Sequence, residues 1–118
     1  MPATDPRMTP LPTQEMFESM YDNAAKPLKE SVLIYFTADW CGACKRVDWD
    51  FIFEEFPALK VYRCDVDENK YTPGFCGVRS IPSFVMIHPG VKQITPLFQA
   101  SDTAKIATWI MTNLRKGK

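Results

Sequence analysis

The chain has 118 residues, of which 46% are apolar and 24% are charged, and its 14 basic side chains are balanced by 14 acidic ones. This length suits a single domain with its own hydrophobic core. A net charge of zero excludes the strong positive field by which proteins collect nucleic acid or anionic lipid. We therefore expect a monomeric globular protein that binds neither nucleic acid nor a membrane.

Prolines are frequent in the first twelve residues, MPATDPRMTPLP. Proline disrupts helices and cannot donate to a sheet ladder, so residues 1–12 are predicted to be a flexible tail with at most a short edge strand near Met8 to Leu11. The same residues lack the apolar block of a secretory signal, and the longest apolar run, VLIYF, is too short to cross a bilayer. These features predict a cytoplasmic protein whose domain spans residues 13–118.

The pattern after the tail begins with a helix, a strand and a second helix. Thr13 caps the first helix, whose apolar residues recur at helical spacing up to residues 26–27. The run SVLIYFT, residues 31–37, is apolar and β-branched without alternation, which is typical of a central strand covered on both faces. A second helix is predicted over residues 41–56.

Three strands and a closing helix follow. The strands are predicted at residues 59–64, 82–88 and 93–98. The last two form a hairpin through the turn HPG, and residues 67–77 are predicted to be a turn region with one irregular helical turn. Ser101 or Asp102 caps the final helix, which carries one apolar face.

The segment WCGAC places Cys41 and Cys44 three positions apart, between a strand and a helix. At the amino end of a helix, unpaired N–H groups and the helix dipole favour a thiolate, so Cys41 is predicted to be the acidified, attacking thiol. Cys44 lies about one turn further along, where its sulfur reaches Cys41 and displaces a mixed disulfide. The pattern indicates thiol–disulfide exchange, which needs no organic or metal cofactor.

Two other interpretations of the pair stay open on the residues alone. A zinc site needs four ligands, commonly including a second Cys-X-X-Cys or Cys/His pair, whereas Cys64 and Cys76 are too far apart and His88 is the only histidine. An inert structural bridge is weaker still, because closing a two-residue loop removes little entropy from the unfolded chain. Cys64 is predicted to be a core residue, and Cys76, just before Gly77, is predicted to be an exposed thiol.

Together, WCGAC after a strand, Lys45, and SIPSF some forty residues later resemble the thioredoxin family. The resemblance runs from about Thr13 to the end of the chain. It implies an α/β thioredoxin fold, with a central mixed sheet of four to five strands flanked by helices. It also implies an Ile81–Pro82 peptide bond in the cis form that faces the cysteines.

The resemblance further implies the site and its activity. Cys41 and Cys44 would be the catalytic pair, and the substrate-binding residues would be Trp40, Gly42, Ala43, Ile81 and Pro82. The implied function is a thiol–disulfide oxidoreductase that exchanges this dithiol with disulfides of protein substrates as a reductase, supplied with electrons by a thioredoxin reductase or a glutathione system. The alternatives are an oxidase or isomerase of less reducing potential, and a protein-binding module with little turnover.

Two departures from the family's pattern affect the expected redox chemistry. Ala43 stands where typical thioredoxins have proline, and in the family such a change generally makes the couple more oxidising. Tyr35 stands where many thioredoxins have a buried aspartate that helps to move the proton of the resolving cysteine. A phenol is a poor base near neutral pH, so we expect residue 35 to lie beneath the redox pair without serving as its base.

Overall fold

The structure, a computed structural model, describes residues 5–22 and 28–116 and contains a sheet with helices on both faces. The strands are β1 (Met8–Pro10), β2 (Val32–Thr37), β3 (Lys60–Asp65), β4 (Ser83–Ile87) and β5 (Phe98–Gln99). The helices are α1 (Gln14–Tyr21), α2 (Trp49–Glu55), α3 (Tyr71–Cys76) and α4 (Thr103–Lys116). The spatial order of the strands is β1-β3-β2-β4-β5.

The sheet is mixed, as the resemblance implies. Strands β1, β3 and β2 run parallel, whereas β4 is antiparallel to both β2 and β5. Strand β2 lies at the centre and is buried at all six positions, which confirms the prediction from its unalternating apolar sequence. The resulting architecture confirms the α/β thioredoxin fold.

Each face of the sheet has its own core. Residues that alternate along β2 point to opposite faces, so Leu33 and Tyr35 pack with the side of α2 and α4, while Ile34 and Phe36 pack with the side of α1 and α3. Cys41 and Cys44 belong to the first of these cores. Tyr35 therefore lies on the same face of the sheet as the two cysteines.

Part of the predicted tail belongs to the sheet. Strand β1 pairs with β3, and Leu11, which follows it, is fully buried. Pro10 is tolerated because β1 is an edge strand, where one side of the backbone needs no hydrogen-bond partner in the sheet. The predicted edge strand near Met8 to Leu11 is thus present and the packed chain begins before Thr13, whereas residues 1–4 lie outside the described residues.

The prediction of one continuous helix over residues 41–56 is wrong. A 3-10 turn, Cys44–Arg46, is followed by an extended Val47 with φ −71° and ψ 121°, and only then by α2. Helix α2 begins directly after Asp48, whose side-chain oxygen accepts a hydrogen bond from the backbone N–H of Phe51 at 3.1 Å. Asp48 is thus an N-cap, a role that aspartate fills better than a helix interior.

The second strand of the predicted hairpin is shorter than expected. In place of a strand over residues 93–98, one isolated bridge joins Ile94 to β4, and β5 has two residues. The backbone N–H of Met86 donates to the side-chain oxygen of Thr95 at 2.9 Å, and Pro96 has no N–H to continue the ladder. The closing helix begins as predicted, because Asp102 Oδ1 accepts a hydrogen bond from the N–H of Lys105 at 3.1 Å.

Helix α1 ends at Tyr21, and the predicted stop at residues 26–27 lies outside the described residues.

Candidate active site

Cys41 and Cys44 are joined by a disulfide, with their Cα atoms 5.3 Å apart. Both residues are buried, with 4% and 6% of their surfaces exposed. The backbone N–H of Cys44 donates to the sulfur of Cys41 at 3.1 Å. An N–H aimed at a sulfur favours its ionised form, so this contact stabilises a Cys41 thiolate once the disulfide is reduced.

The N–H of Cys44 stabilises the Cys41 thiolate in place of the helix amino end that the sequence predicts beside Cys41. Helix α2 begins only at Trp49, and the segment between is a tight turn in which the N–H groups of Lys45 and Arg46 donate to the carbonyls of Gly42 and Ala43, each at 3.2 Å. The turn directs the preceding N–H in the series, that of Cys44, back towards the sulfur of Cys41. The local backbone, rather than a long helix dipole, therefore supplies the positive field.

The Ile81–Pro82 peptide bond is cis. The carbonyl oxygen of Ile81 lies 3.8 Å from the sulfur of Cys41, although the two residues are 40 positions apart in the chain. Strand β4, which follows at Ser83, holds this turn against the first residues after β2, because β2 and β4 are neighbours in the sheet. The sheet thus brings the two separate sequence motifs together.

A groove of about 550 Å³ lies beside Cys41, and its lining contains most of the predicted substrate-binding residues. Those found there are Trp40, Gly42, Ala43 and Ile81. Pro82, the next residue in the chain after Ile81, is buried and is not in the lining. The groove brings an apolar surface to the edge of the disulfide, an arrangement that suits an extended peptide.

Trp40 is the most exposed part of this surface. Its exposed fraction is 66%, and its indole N–H donates to Asp67 Oδ2 at 2.7 Å. The hydrogen bond anchors the ring while leaving its apolar faces open to solvent, which is the usual arrangement of tryptophan at a contact surface. Asp67 was not predicted to belong to the site, since nothing local in the sequence pairs it with a residue 27 positions away.

Other residues of the groove were also missed. Val66, Pro73 and Val78 add apolar surface, and Arg79 is the one charged residue in the lining among those that the structure describes. Pro73 lies in α3, within the predicted turn region, and the other three residues lie in the segments on either side of that helix. Their proximity to Cys41 results from the crossover between β3 and β4.

Tyr35 lies beneath the redox pair, as predicted. Its ring is 5% exposed, is stacked on Phe84 with the ring centroids 5.4 Å apart, and contacts Trp49 at 4.8 Å. Its hydroxyl lies 3.5 Å from the backbone oxygen of Cys44. Burial raises the pKa of Tyr35, so the phenol stays neutral near neutral pH and is no base for the neighbouring thiol.

The other two cysteines are free thiols that lie away from the groove. Cys64 is fully buried, which confirms its predicted place in the core. The prediction that Cys76 is exposed is wrong, because α3 turns its side chain into the core on the α1 side of the sheet and leaves it 8% exposed. Burial raises the pKa of each of these thiols to about 12.

We therefore expect only two thiols of the reduced, folded protein to react readily at pH 8. Thiolates are the reactive species; the raised pKa of about 12 keeps Cys64 and Cys76 protonated at this pH, and neither of them lines the groove beside Cys41. Brief treatment with iodoacetamide should modify Cys41 and Cys44, and the other two thiols only after denaturation in guanidinium, as measured by mass spectrometry of peptides. Modification of Cys76 in the folded protein at the rate seen for Cys41 would contradict its burial.

Across residues 5–22 and 28–116, no group of three or more His, Cys, Asp or Glu side chains is arranged to hold a metal ion. Within the same ranges, every helix is too short or too polar to span a membrane.

Comparison with known proteins identifies the family. A sequence model described as thioredoxin matches residues 12–112. The chain is 32% identical over 96 residues to a thioredoxin from Geodia cydonium, covering 79% of this chain and 90% of that protein. It is 34% identical over 85 residues to chloroplastic thioredoxin M2 from Arabidopsis thaliana, covering 70% of this chain but only 46% of that longer protein.

A solved structure supports the same fold. The crystal structure of thioredoxin from Trypanosoma brucei brucei superposes with a TM-score of 0.76 at 22% identity, covering 98% of this chain and 97% of that one. The family match includes the Cys41–Cys44 pair and the turn that contacts it. The chain therefore belongs to the thioredoxin family of thiol–disulfide oxidoreductases.

Proposed function

We propose that the protein reduces disulfide bonds of protein substrates, with Cys41 as the attacking thiol and Cys44 as the resolving thiol. The observation that carries this proposal is the position of the disulfide, whose Cys41 sulfur lies at the edge of an apolar groove and accepts the N–H of Cys44 at 3.1 Å. A substrate laid along the groove meets Cys41 before Cys44, because Cys44 does not line it.

The exchange takes two steps. The Cys41 thiolate attacks one sulfur of the substrate disulfide, forming a mixed disulfide and releasing the other substrate sulfur as a thiolate. The Cys44 thiol then loses its proton and attacks the Cys41 sulfur, which forms the Cys41–Cys44 bond and releases the second substrate thiolate. Two electrons pass from the dithiol to the substrate.

Trp40, Gly42, Ala43 and Ile81 would form the contact surface for the substrate, with Pro82 fixing the turn behind Ile81. Exposed aromatic and apolar side chains around a reacting sulfur favour binding of an unfolded or extended segment. The charged partner on this surface is Arg79.

The remaining parts of the proposal concern the cellular setting. Thioredoxins are reduced by thioredoxin reductase, and we propose that this enzyme or a glutathione system restores the dithiol here. We also propose that the protein acts as a monomer. The free thiols Cys64 and Cys76 suit a reducing compartment such as the cytoplasm.

The direction of electron flow is tested by the reduction potential. Ala43 in place of proline is expected to make the couple less reducing than that of thioredoxin, yet still able to reduce substrates. Equilibration with glutathione buffers, followed by mass spectrometry of the trapped thiols, should give a midpoint between about −270 mV for thioredoxin and about −180 mV for protein disulfide isomerase. In parallel, the protein should accelerate the reduction of insulin by dithiothreitol.

Two results would contradict the reductase proposal. A midpoint more oxidising than about −180 mV would favour an oxidase or isomerase. A reducing midpoint without any acceleration of insulin reduction would favour a binding module.

A further inference from the structure

A second cavity, of about 690 Å³, meets the redox pair from another side and is called the Cys44 cavity here. Its lining contains Cys44 but not Cys41, and it shares no residue with the substrate groove. Its lining also contains the polar side chains of Tyr35, Thr37, Asp39, Lys45 and Arg63. Cys41 thus borders the substrate groove, and Cys44 borders a separate space that is large enough for several water molecules.

The resolving step needs a proton acceptor, and Tyr35 does not provide one. Cys44 must lose a proton before its sulfur attacks, since the thiolate is the nucleophile. The Tyr35 hydroxyl approaches the backbone of Cys44, but burial raises the pKa of this phenol and keeps it protonated. The acceptor must therefore be reached through the cavity.

Among the described residues, two carboxylates line this cavity, and their surroundings differ. Asp5 is held by Arg7 through both of its oxygens, at 2.9 Å and 2.7 Å, and this pairing lowers the pKa of Asp5. Asp39 pairs with Arg63 through Oδ1 at 3.1 Å, and 48% of its side chain is exposed. Asp39 is therefore anchored at the cavity wall by one oxygen and remains open to bulk water.

The other charged groups that face this space are cations. Lys45 lies in the 3-10 turn, Arg63 lies in β3, and Arg7 lies in the segment before β1. Arg7 is already engaged by Asp5 and by Asp50, the latter at 2.9 Å. None of these cations accepts a proton near neutral pH, which leaves Asp39 as the better placed acceptor.

We propose that Asp39 accepts, through water in the Cys44 cavity, the proton that Cys44 loses during resolution of the mixed disulfide. The proposal rests on the assignment of Cys44 as the resolving thiol. The Cys44 S–H bond breaks and its proton passes through water to the Asp39 carboxylate, while the Cys44 sulfur bonds to the Cys41 sulfur and the substrate sulfur leaves as a thiolate. Asp39 then returns the proton to bulk water, and no further reactant is consumed.

The test follows the two steps separately with Ellman's reagent, which releases one 2-nitro-5-thiobenzoate ion at the attack by Cys41 and a second at the resolution by Cys44. In a stopped-flow experiment, the first phase depends on the reagent concentration and the second does not. Asp39→Asn should slow the second phase on the order of tenfold between pH 6 and 7.5. The difference should shrink as the pH rises, because a thiol that is already ionised needs no proton acceptor.

The sign of the effect separates proton acceptance from simple electrostatics. Removing a negative charge near a thiol lowers the pKa of the thiol, so an Asp39 that acted only through its charge would make Asp39→Asn resolve faster. Asp39→Glu should restore the slow phase towards the wild-type rate. Glu54→Gln, which neutralises an exposed carboxylate on α2 outside both cavities, should leave it unchanged.

The outcomes are distinct. A second phase in Asp39→Asn that is as fast as in the wild type, or faster, overturns the role of Asp39. If the wild type itself shows no second phase independent of the reagent concentration, the assignment of Cys44 as resolving thiol fails instead.

Discussion

Replacing Cys41 with serine should abolish the catalysed reduction of insulin, lowering the rate by at least about a thousandfold to the background given by dithiothreitol alone. Cys41 is the only sulfur that borders the substrate groove among the described residues, and the N–H of Cys44 is aimed at it. A serine hydroxyl at this position neither ionises near neutral pH nor forms a disulfide.

Cys44→Ser should have a different effect from Cys41→Ser. The first attack survives in this variant and the resolving step does not, so a mixed disulfide with the substrate should accumulate and be visible on a non-reducing gel. Cys76→Ala is the matched control, since it removes a thiol that lies in the core on the other side of the sheet. It should retain wild-type activity.

Two outcomes would contradict this division of roles. Wild-type activity in Cys41→Ser would remove the protein from the group of dithiol reductases. Accumulation of the mixed disulfide in Cys41→Ser rather than in Cys44→Ser would mean that the order of attack is reversed.

Replacing Tyr35 with aspartate should destabilise the fold by about 4 kcal/mol at pH 8 and accelerate resolution. The stability loss follows from the removal of a ring that is stacked on Phe84 and packed on Trp49, and from the burial of a carboxylate in its place. The faster second step follows because the new carboxyl would lie beneath Cys44 and accept its proton at short range.

The stability loss should depend on pH. Burial raises the pKa of the introduced carboxyl above its unfolded value of about 3.9, so the folded state of the variant is favoured when that group is protonated. Its stability relative to the wild type should be greatest at low pH and should decrease as the pH rises through the raised pKa. Urea unfolding at pH 5 and pH 8 should therefore show the larger deficit at pH 8.

Tyr35→Phe is the matched control for this variant. It keeps the stacked ring and removes only a hydroxyl whose backbone contact is long, at 3.5 Å, so its stability should stay within about 1 kcal/mol of the wild type. The prediction would be contradicted if the mixed disulfide decayed equally fast in Tyr35→Asp and the wild type at every pH. That result would show that loss of the Cys44 proton, through Asp39 or otherwise, does not limit the rate of resolution in the wild type.

Much of the fold was predictable because its signals are local. The unalternating run of β2 is buried on both faces because its neighbours cover both sides of the sheet. The spacing of Cys41 and Cys44 allows their disulfide whatever the rest of the chain does. Asp102 caps α4 through a hydrogen bond to a residue three positions away. Each of these features depends on residues that are close together in the chain.

The errors arose where a local preference competed with a tertiary contact. A continuous helix after Cys41 satisfies the apolar spacing, but Asp48 caps a new helix and its own N–H donates to Thr103, 55 positions away. Cys76 beside Gly77 looks exposed in the sequence, yet α3 packs it against the sheet. In both cases the contact with a distant residue stabilises the chain more than a further helical turn or an exposed loop would, so it overrides the local propensity.

The sequence by itself determined the chemistry of this protein, since the WCGAC segment and the proline turn carry both the dithiol and the likeness to thioredoxins. Only the tertiary structure decided the surroundings of the two sulfurs: the hydrogen bond from Trp40 to Asp67, the groove beside Cys41, and the separate cavity that joins Cys44 to Asp39. The physical reason is that covalent spacing sets which groups can react with a near neighbour, whereas solvent access and proton acceptors are supplied by segments that the sheet brings together.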